Sequence, residues 1–243
     1  MKAIAACALA IAACALALAA SAAGAAEVTL APFAAEYDVR YGRMAVGTSR
    51  TELSRSGDRW TMESTSTATG FARLIAGGTL RQRSEFELLP DGPRPVSYSF
   101  DDGTTRTDRD VSLRFDWSAG RVRGTAEDEP VDVATVEGLQ DAASMQALVL
   151  ALLRAGREPG TIAMIEKDKV KYYRYTLLRT EKLATAIGEL ETVVYRSARD
   201  GSERETLTWH APKLGYAAVQ AEQRVGGKRG FQTYIRRFEG DAR

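Results

Sequence analysis

The stretch FAAEYDVRY, residues 33–41, shows the pattern that predicts the fold class of the chain. Its residues alternate between two sides of a chain, with Phe33, Ala35, Tyr37, Val39 and Tyr41 on one side and Ala34, Glu36, Asp38 and Arg40 on the other. Alternation with a period of two residues is typical of a β-strand that has one buried face and one solvated face. It predicts an antiparallel sheet rather than a parallel α/β core, whose strands are apolar on both faces.

The same alternation returns along the rest of the chain. It occupies residues 80–88, 111–117, 169–178, 189–197, 203–210 and 231–238. Dipeptides that favour tight turns lie between such runs, namely Ser56-Gly57, Asp91-Gly92, Asp102-Gly103, Ala119-Gly120, Asp200-Gly201 and Gly226-Gly227. This spacing predicts roughly ten to twelve strands joined by hairpins.

One segment has a convincing helical period. Its apolar residues recur three and four positions apart, at Met145, Leu148, Val149, Leu152 and Leu153. Asp141 is a suitable N-cap, and Gly156 stands where a helix commonly ends. We therefore expect one amphipathic helix at about 141–155. A shorter apolar segment, residues 70–76, is expected to be a helical turn or a loop between two strands.

Residues 27–243 contain no repeat and no linker, which predicts a single β-rich domain. A long antiparallel meander tends to curl, to close, or to wrap around a helix. We expect a mainly β fold with a large, strongly curved antiparallel sheet. It is either a half-barrel that holds the helix in its concavity or a more closed barrel, and the sequence does not choose between them.

Residues 1–26 have the layout of a secretory signal peptide. Lys2 precedes a long apolar stretch, and the small residues 21–26 follow it. Cleavage after Ala26, or alternatively after Ala22, would release the protein into the periplasm without a stable transmembrane span. Two other interpretations stay open: a lipoprotein signal at Cys14, which lies close to the start, and a retained anchor, although alanine inserts weakly.

Cleavage after residue 26 would remove Lys2 and both cysteines, Cys7 and Cys14. The remaining chain would carry 32 basic and 32 acidic side chains and no thiol. This balance argues against nucleic acid as a partner, because such binding normally relies on an excess of positive charge. We expect no cofactor and no metal, since a zinc site built from one histidine and carboxylates would be unusual.

His210 is the only histidine, which restricts the catalytic mechanisms available. The segment 27–243 contains no Gly-x-Ser-x-Gly motif that would supply a serine nucleophile. Alternation with Trp209 places His210 on the side of Thr206 and Thr208. We interpret it as a polar strand residue, assign no catalytic residue, and favour a protein that is not an enzyme.

Two acidic patterns leave alternatives open. Asp101, Asp102, Asp108 and Asp110 surround a glycine, but arginines interrupt the run and no glutamate closes it, so a hairpin turn explains it better than a calcium loop. A pair of carboxylates that hydrolyses glycans needs proximity in space rather than in sequence, so the sequence does not decide this option.

Aromatic residues recur in the predicted strands. We take Trp60, Phe86, Phe115 and Trp117 as candidates for lining a binding site, because ligand-holding barrels have inner faces that mix apolar and polar residues. The same residues would serve equally well as an ordinary sheet core.

The second half of the chain shows a characteristic order of features: Gln140-Asp141, Gly160, the tyrosine-rich run 169–178, Glu181-Lys182-Leu183, residues 187–192, Asp200-Gly201 and Leu207-Thr208-Trp209-His210. In this order the chain resembles the bacterial envelope family called domain of unknown function 3108. The resemblance covers most of the segment 27–243 and implies an exported, β-rich envelope protein. Because that family has no settled activity, the resemblance implies no catalytic or binding residues.

Together these patterns lead us to expect a periplasmic β-protein that binds a hydrophobic or amphipathic envelope component in its concave face. The alternatives are a structural or interaction protein that engages another envelope protein through its sheet edges, and a carboxylate-dependent glycan hydrolase. The sequence does not specify the oligomeric state.

The signal-peptide interpretation makes a direct prediction. Protein expressed from the full-length sequence and recovered from the periplasm should have the intact mass of residues 27–243, because small residues at 24 and 26 fit the cleavage site. Intact-mass spectrometry with N-terminal sequencing checks this. A diacylated chain that begins at Cys14, or an uncleaved chain in the membrane fraction, would contradict it.

Overall fold

A computed structural model describes residues 27–70 and 78–240. Its strands are β1 (Phe33–Tyr41), β2 (Met44–Ser56), β3 (Arg59–Ala68), β4 (Thr79–Leu89), β5 (Gly92–Asp101), β6 (Val111–Asp116), β7 (Arg121–Ala126), β8 (Glu129–Ala134), β9 (Thr161–Glu166), β10 (Lys169–Thr185), β11 (Gly188–Ala198), β12 (Arg204–Ala211), β13 (Ala217–Val225) and β14 (Lys228–Gly240). The helix α1 (Ser144–Arg154) separates β8 from β9. The predicted signal peptide and most of the apolar segment 70–76 lie outside the described residues.

All these strands belong to one antiparallel sheet. Strands that are consecutive in the chain pair with each other from β1 to β8 and from β9 to β14, and β1 also pairs with β14. The described strands β8 and β9 end the order and do not pair with each other, so the sheet is open. The predicted mainly β fold with one helix is confirmed, with 14 strands rather than the roughly ten to twelve that the turn spacing predicts.

Helix α1 lies against the sheet and is buried on nearly all sides. Of its 11 residues, eight are buried. Ala147 and Leu150 pack with Trp60, Met62 and Phe86 of β3 and β4. On another side of the helix, a second cluster contains Val28, Leu148, Leu152, Ile162 and Tyr195. The helix therefore fills the space that the curved sheet leaves.

The gap between β8 and β9 is partly bridged by the segment that leads into the helix. The Gln140 N–H donates to the carbonyl oxygen of Ala163 at 2.9 Å, and the Ile165 N–H donates to the carbonyl of Gln140 at 2.8 Å. The Gln140 amide also donates to the carbonyl of Pro93 on β5 at 2.9 Å. Near the turns, Lys167 pairs with Glu127 at 2.6 Å. These contacts hold the two ends of the sheet together without a strand ladder.

The tight packing around α1 predicts the effect of adding volume there. Ala147 has no exposed surface, so Ala147→Leu should lower the free energy of unfolding by about 1–3 kcal/mol through overpacking. Gln146→Leu, at the exposed neighbouring position, is the matched control and should change it by less than about 0.5 kcal/mol. Urea unfolding measures both variants, and equal stabilities would contradict the buried position of the helix.

Candidate functional site

The structure places the four predicted aromatic residues in the packed interior. Trp60 is opposite Phe86 in the pairing of β3 with β4, and their exposed fractions are 4% and 0%. Both contact the start of α1 through Ala143 and Ala147. Phe115 and Trp117 belong to a different cluster, where their rings stack with centroids 6.0 Å apart.

Little space remains between α1 and the sheet. A pocket lined by residues that include Leu30, Phe33, Leu53, Leu150 and Leu214 has a volume of about 10 Å³. That is close to the smallest volume that holds one water molecule, whereas small-molecule sites occupy about 300–1,000 Å³. The four aromatic residues therefore act as core in this arrangement, and a ligand could reach Trp60 and Phe86 only if α1 moved.

A buried polar cluster anchors the beginning of α1. The Asp141 carboxylate accepts hydrogen bonds from the N–H groups of Ala143 and Ser144 at 2.9 and 2.8 Å, and from the Ser84 hydroxyl at 2.6 Å. The Ser144 hydroxyl oxygen in turn accepts from the N–H of Asp141 at 2.9 Å. Asp141 therefore caps the helix as predicted, although the helix begins at Ser144 because residues 142 and 143 form a turn.

Burial changes the acidity of this cluster. Asp141 has no exposed surface, and desolvation raises the pKa of its carboxyl group to about 6, although the hydrogen bonds from Ser84, Ser144 and Ala143 oppose the shift. Burial also raises the pKa of Tyr98, and the negative charge of Asp141 adds to that effect. The hydrogen-bond partners of Asp141 are hydroxyl and N–H groups, as expected of a helix-capping carboxylate.

His210 is more enclosed than the sequence predicts. It is 5% exposed, and its Nδ1 lies 2.9 Å from the carbonyl oxygen of Tyr216. The ring of Tyr195 meets it edge-on at 6.3 Å, and no described residue hydrogen-bonds its Nε2. The interpretation of His210 as a polar residue on a solvated strand face is therefore corrected. Burial lowers its pKa to about 4, against a smaller opposite effect of the Tyr216 carbonyl.

Neighbouring Trp209 is held by a polar contact that alternation did not predict. Its indole N–H donates to Glu181 at 2.6 Å, and the Arg179 guanidinium lies 5.8 Å from the ring centre. These partners come from β10, so this contact links the β10–β11 hairpin to β12.

The acidic turn between β5 and β6 brings carboxylates together. Oxygen atoms of Asp101, Asp102 and Asp110 lie within 4.8 Å of one another. Their other contacts are those of a turn, because Asp101 accepts from the N–H of Gly103 at 2.7 Å and Asp102 accepts from the N–H of Thr104 at 2.9 Å. The hairpin-turn interpretation accounts for this geometry.

A polar groove of about 300 Å³ crosses β2, β3 and β4, on the face of β3 opposite to Trp60 and Met62. Its charged side chains pair with one another, as Arg50 does with Glu52 at 3.2 Å and Arg83 does with Glu63 at 3.0 Å. The groove therefore presents neutralised charges rather than free ones.

The long strand β10 has one free edge. Strand β9 pairs only with Lys169 to Arg174, whereas β11 pairs with β10 up to Thr185. Residues 176–185 consequently have no partner strand on the second side among the described residues. Leu177 and Leu178 lie on this stretch with exposed fractions of 43% and 44%. Sequence alternation did not reveal the edge, because the edge depends on where β9 begins, at Thr161 opposite Arg174.

These features define a class of protein: an open antiparallel barrel whose concavity is filled by its own helix. Residues 36–230 match the model of the family described as protein of unknown function (DUF3108), and the chain belongs to that family. The predicted resemblance is thereby confirmed. The sequence matches no curated protein.

One solved structure shows a similar fold. The crystal structure of a β-barrel-like protein of domain of unknown function DUF1849 from Brucella abortus aligns with a TM-score of 0.57 at 10% identity, covering 88% of this chain and 99% of that chain. A Parabacteroides distasonis protein described as a lipoprotein aligns at 0.39 with 8% identity, covering 88% of this chain and 99% of that chain. A Bacteroides fragilis protein described as exported, with a YmcC-like fold, aligns at 0.37 with 9% identity and the same coverage, 88% and 99%. Only the first alignment bears on the fold.

No helix among the described residues has the length and apolar character needed to cross a membrane.

The two buried titratable groups predict opposing effects of pH on stability. The pKa of Asp141 is raised from 3.8 to about 6, so its contribution is fully present below about pH 4 and is lost as pH rises to about 6. The pKa of His210 is lowered from 6.5 to about 4, so its contribution is fully present above about pH 6.5 and is lost as pH falls to about 4. Between about pH 4 and 6.5, the stability lost through Asp141 and the stability gained through His210 should largely cancel as the pH rises.

Single variants should show how each of the two groups changes folding stability with pH. Between pH 4 and 6.5, the free energy of unfolding of Asp141→Asn relative to the wild type should rise by about 3 kcal/mol as the pH increases. Over the same range, that of His210→Asn relative to the wild type should fall by about 3 kcal/mol. Urea unfolding at several pH values measures these differences. Variant curves that run parallel to the wild-type curve would show that neither group titrates as described.

Proposed function

We propose that the protein is an exported, non-enzymatic interaction protein that binds an extended segment of another envelope protein along the free edge of β10. The observation that carries the proposal is the stretch 176–185, which pairs with β11 and has no partner among the described strands on its other side. Export rests on the signal-peptide pattern of residues 1–26.

A free edge presents unpaired N–H and C=O groups to which another strand can add. Natural edges are often protected, and β8 is an example: it contains Pro130, and the guanidinium of Arg121 donates to both the carboxylate and the backbone carbonyl of Asp132. The edge of β10 instead carries two half-exposed leucines, Leu177 and Leu178. It is the less protected of the two edges.

The charges along the β10 edge do not oppose a partner. Arg179 pairs with Glu181 at 2.9 Å, and Lys182 lies 3.6 and 3.7 Å from Glu189 and Glu191 of β11. Because these charges are neutralised within the hairpin, an incoming strand meets no net repulsion. A register shift at Leu178 bends the strand, and residues 179–185 then continue in regular pairing with β11.

The second candidate function is binding of a hydrophobic or amphipathic envelope component by Trp60, Phe86, Phe115 and Trp117. It requires α1 to leave the concavity, which would expose the apolar surface now buried against Trp60 and Phe86 at a cost of about 25 cal/mol per Å². We place it second because the pocket beside α1 has a volume of only about 10 Å³.

Site-specific photo-crosslinking in cells tests the proposal. A benzophenone side chain at position 178 should give a protein adduct, whereas the same group at exposed position 125 on the fully paired strand β7 should not. The double variant Leu177→Asp and Leu178→Asp should weaken binding of the captured partner at least about tenfold. Tyr172→Asp is the control, since Tyr172 is 57% exposed on the part of β10 that β9 covers.

Hydrogen exchange identifies the mode of binding. Strand addition should newly protect those amides of residues 179–185 that point away from β11 when the captured partner is added. Adducts that form equally at positions 125 and 178, or a partner whose affinity survives the double variant, would contradict the proposal. A lipid found by native mass spectrometry, together with faster exchange in α1, would favour the second candidate instead.

A further inference from the structure

We infer that the corner of the protein formed by the β1–β2 and β13–β14 turns docks on an anionic lipid surface. This corner, named here the aromatic tip, consists of Tyr41, Met44 and Phe231 with the cations around them. The inference concerns a surface separate from the β10 edge and does not depend on the proposed function.

The aromatic tip exposes three large apolar side chains that contact or face one another. Tyr41 is opposite Met44 on β2 and opposite Phe231 on β14. The two aromatic rings lie 5.0 Å apart, and the exposed fractions of Tyr41, Met44 and Phe231 are 50%, 65% and 54%. Val225, at the end of β13, is a further exposed apolar residue at 46%. Scattered single apolar residues are normal on a surface, but a contiguous group indicates a contact surface.

Cations without an ion-pair partner lie in the two turns beside these apolar side chains. No described carboxylate forms an ion pair with Arg43 or Lys228, and Arg40, on the other side of β1, lies over the ring of Tyr234 at 5.3 Å. Arg224 and Arg229, in contrast, both bind the buried Glu222. The strand pairing places Arg43 beside the Tyr41–Met44 pair and Lys228 on the neighbouring turn.

Two other turns at the same end of the sheet carry several carboxylates. In an antiparallel meander the β1–β2, β5–β6, β7–β8 and β13–β14 turns lie at the same end of the sheet. The β5–β6 turn contains Asp101, Asp102, Asp108 and Asp110, and the β7–β8 turn contains Glu127 and Asp128. Near the β13–β14 turn the Gly226 N–H donates to the carbonyl oxygen of Glu203 at 3.1 Å, and the two cations Arg43 and Lys228 outnumber the one carboxylate of Glu203.

This combination matches the boundary of an anionic bilayer. Aromatic rings and methionine can enter the headgroup and acyl boundary, while neighbouring arginine and lysine side chains bind anionic headgroups. Two projecting hairpin turns suit insertion into a deformable lipid surface. The acidic turns at the same end would be repelled, so the charge pattern also orients the protein on the membrane.

Vesicle cosedimentation of the periplasmic protein tests the inference. The wild type should bind vesicles that contain phosphatidylglycerol, and it should bind pure phosphatidylcholine vesicles at least about fivefold more weakly. Each cation near an anionic surface raises the binding affinity roughly fivefold. Arg43→Glu with Lys228→Glu should weaken binding to the phosphatidylglycerol vesicles at least about tenfold. The charge-matched control is Lys182→Glu with Lys213→Glu, at exposed positions on the opposite end of the sheet.

A second variant pair separates the apolar contribution from the charge. Tyr41→Ser with Phe231→Ser should also lower vesicle binding, whereas Tyr172→Ser, at a residue that is 57% exposed on β10, should not. Thermal unfolding of every variant confirms that it is folded, as expected for exposed positions. A wild type that does not bind phosphatidylglycerol vesicles at low salt would overturn the inference. Control variants that bind as weakly as the tip variants would overturn it as well.

Discussion

The packing of α1 into the concave side of the sheet is the interaction on which the rest of the structure depends. Side chains such as Phe86 and Trp60 lie on a part of the inner face that α1 covers, because the open sheet does not close over them. The helix is in turn buried on eight of its 11 residues. Two further clusters, around Trp209 and around Phe115, are built without residues of α1, so the helix covers one part of the inner face and the sheet packs the rest itself.

The entry of the helix into the concavity explains why the sheet stays open. The chain must leave β8, cross to the interior and return at β9, so these strands do not pair along their length. The crossing places the start of the helix against β4, and the N–H groups there need an acceptor in a site without solvent. Asp141 satisfies two of them and Ser84 supports its carboxylate, at the cost of a carboxyl group that is harder to ionise.

Local patterns in the sequence predicted the strands and the helix, because alternation and helical period each reflect which side of an element is buried. They did not predict features that depend on distant residues. The Ser84–Asp141 bond joins positions 57 apart, and the burial of His210 depends on Tyr195 and Tyr216 from other parts of the chain. The β7–β8 turn was also not recognised, because Glu127 and Asp128 adopt positive φ angles of 55° and 63° that usually mark glycine or asparagine. Trp60, Phe86 and Phe115 lie in strands as predicted, whereas Trp117 lies in the β6–β7 turn, one residue beyond β6. Whether these residues line a cavity depends on the other elements that cover them.

Because α1 fills the concave side of the sheet, both proposed contact surfaces lie elsewhere, on the free edge of β10 and on the aromatic tip. The positions of these two surfaces are compatible with each other. The free stretch of β10 begins at residue 176 and runs towards the β10–β11 turn, whereas the aromatic tip lies at the end of the sheet that holds the β9–β10 turn. At about 3.3 Å per residue, residues 179–185 start about 30 Å along the strand from that end. A lipid surface in contact with Tyr41 and Phe231 would therefore leave the far part of β10 free. The two proposed contacts are therefore geometrically compatible, since each uses a different end of the sheet.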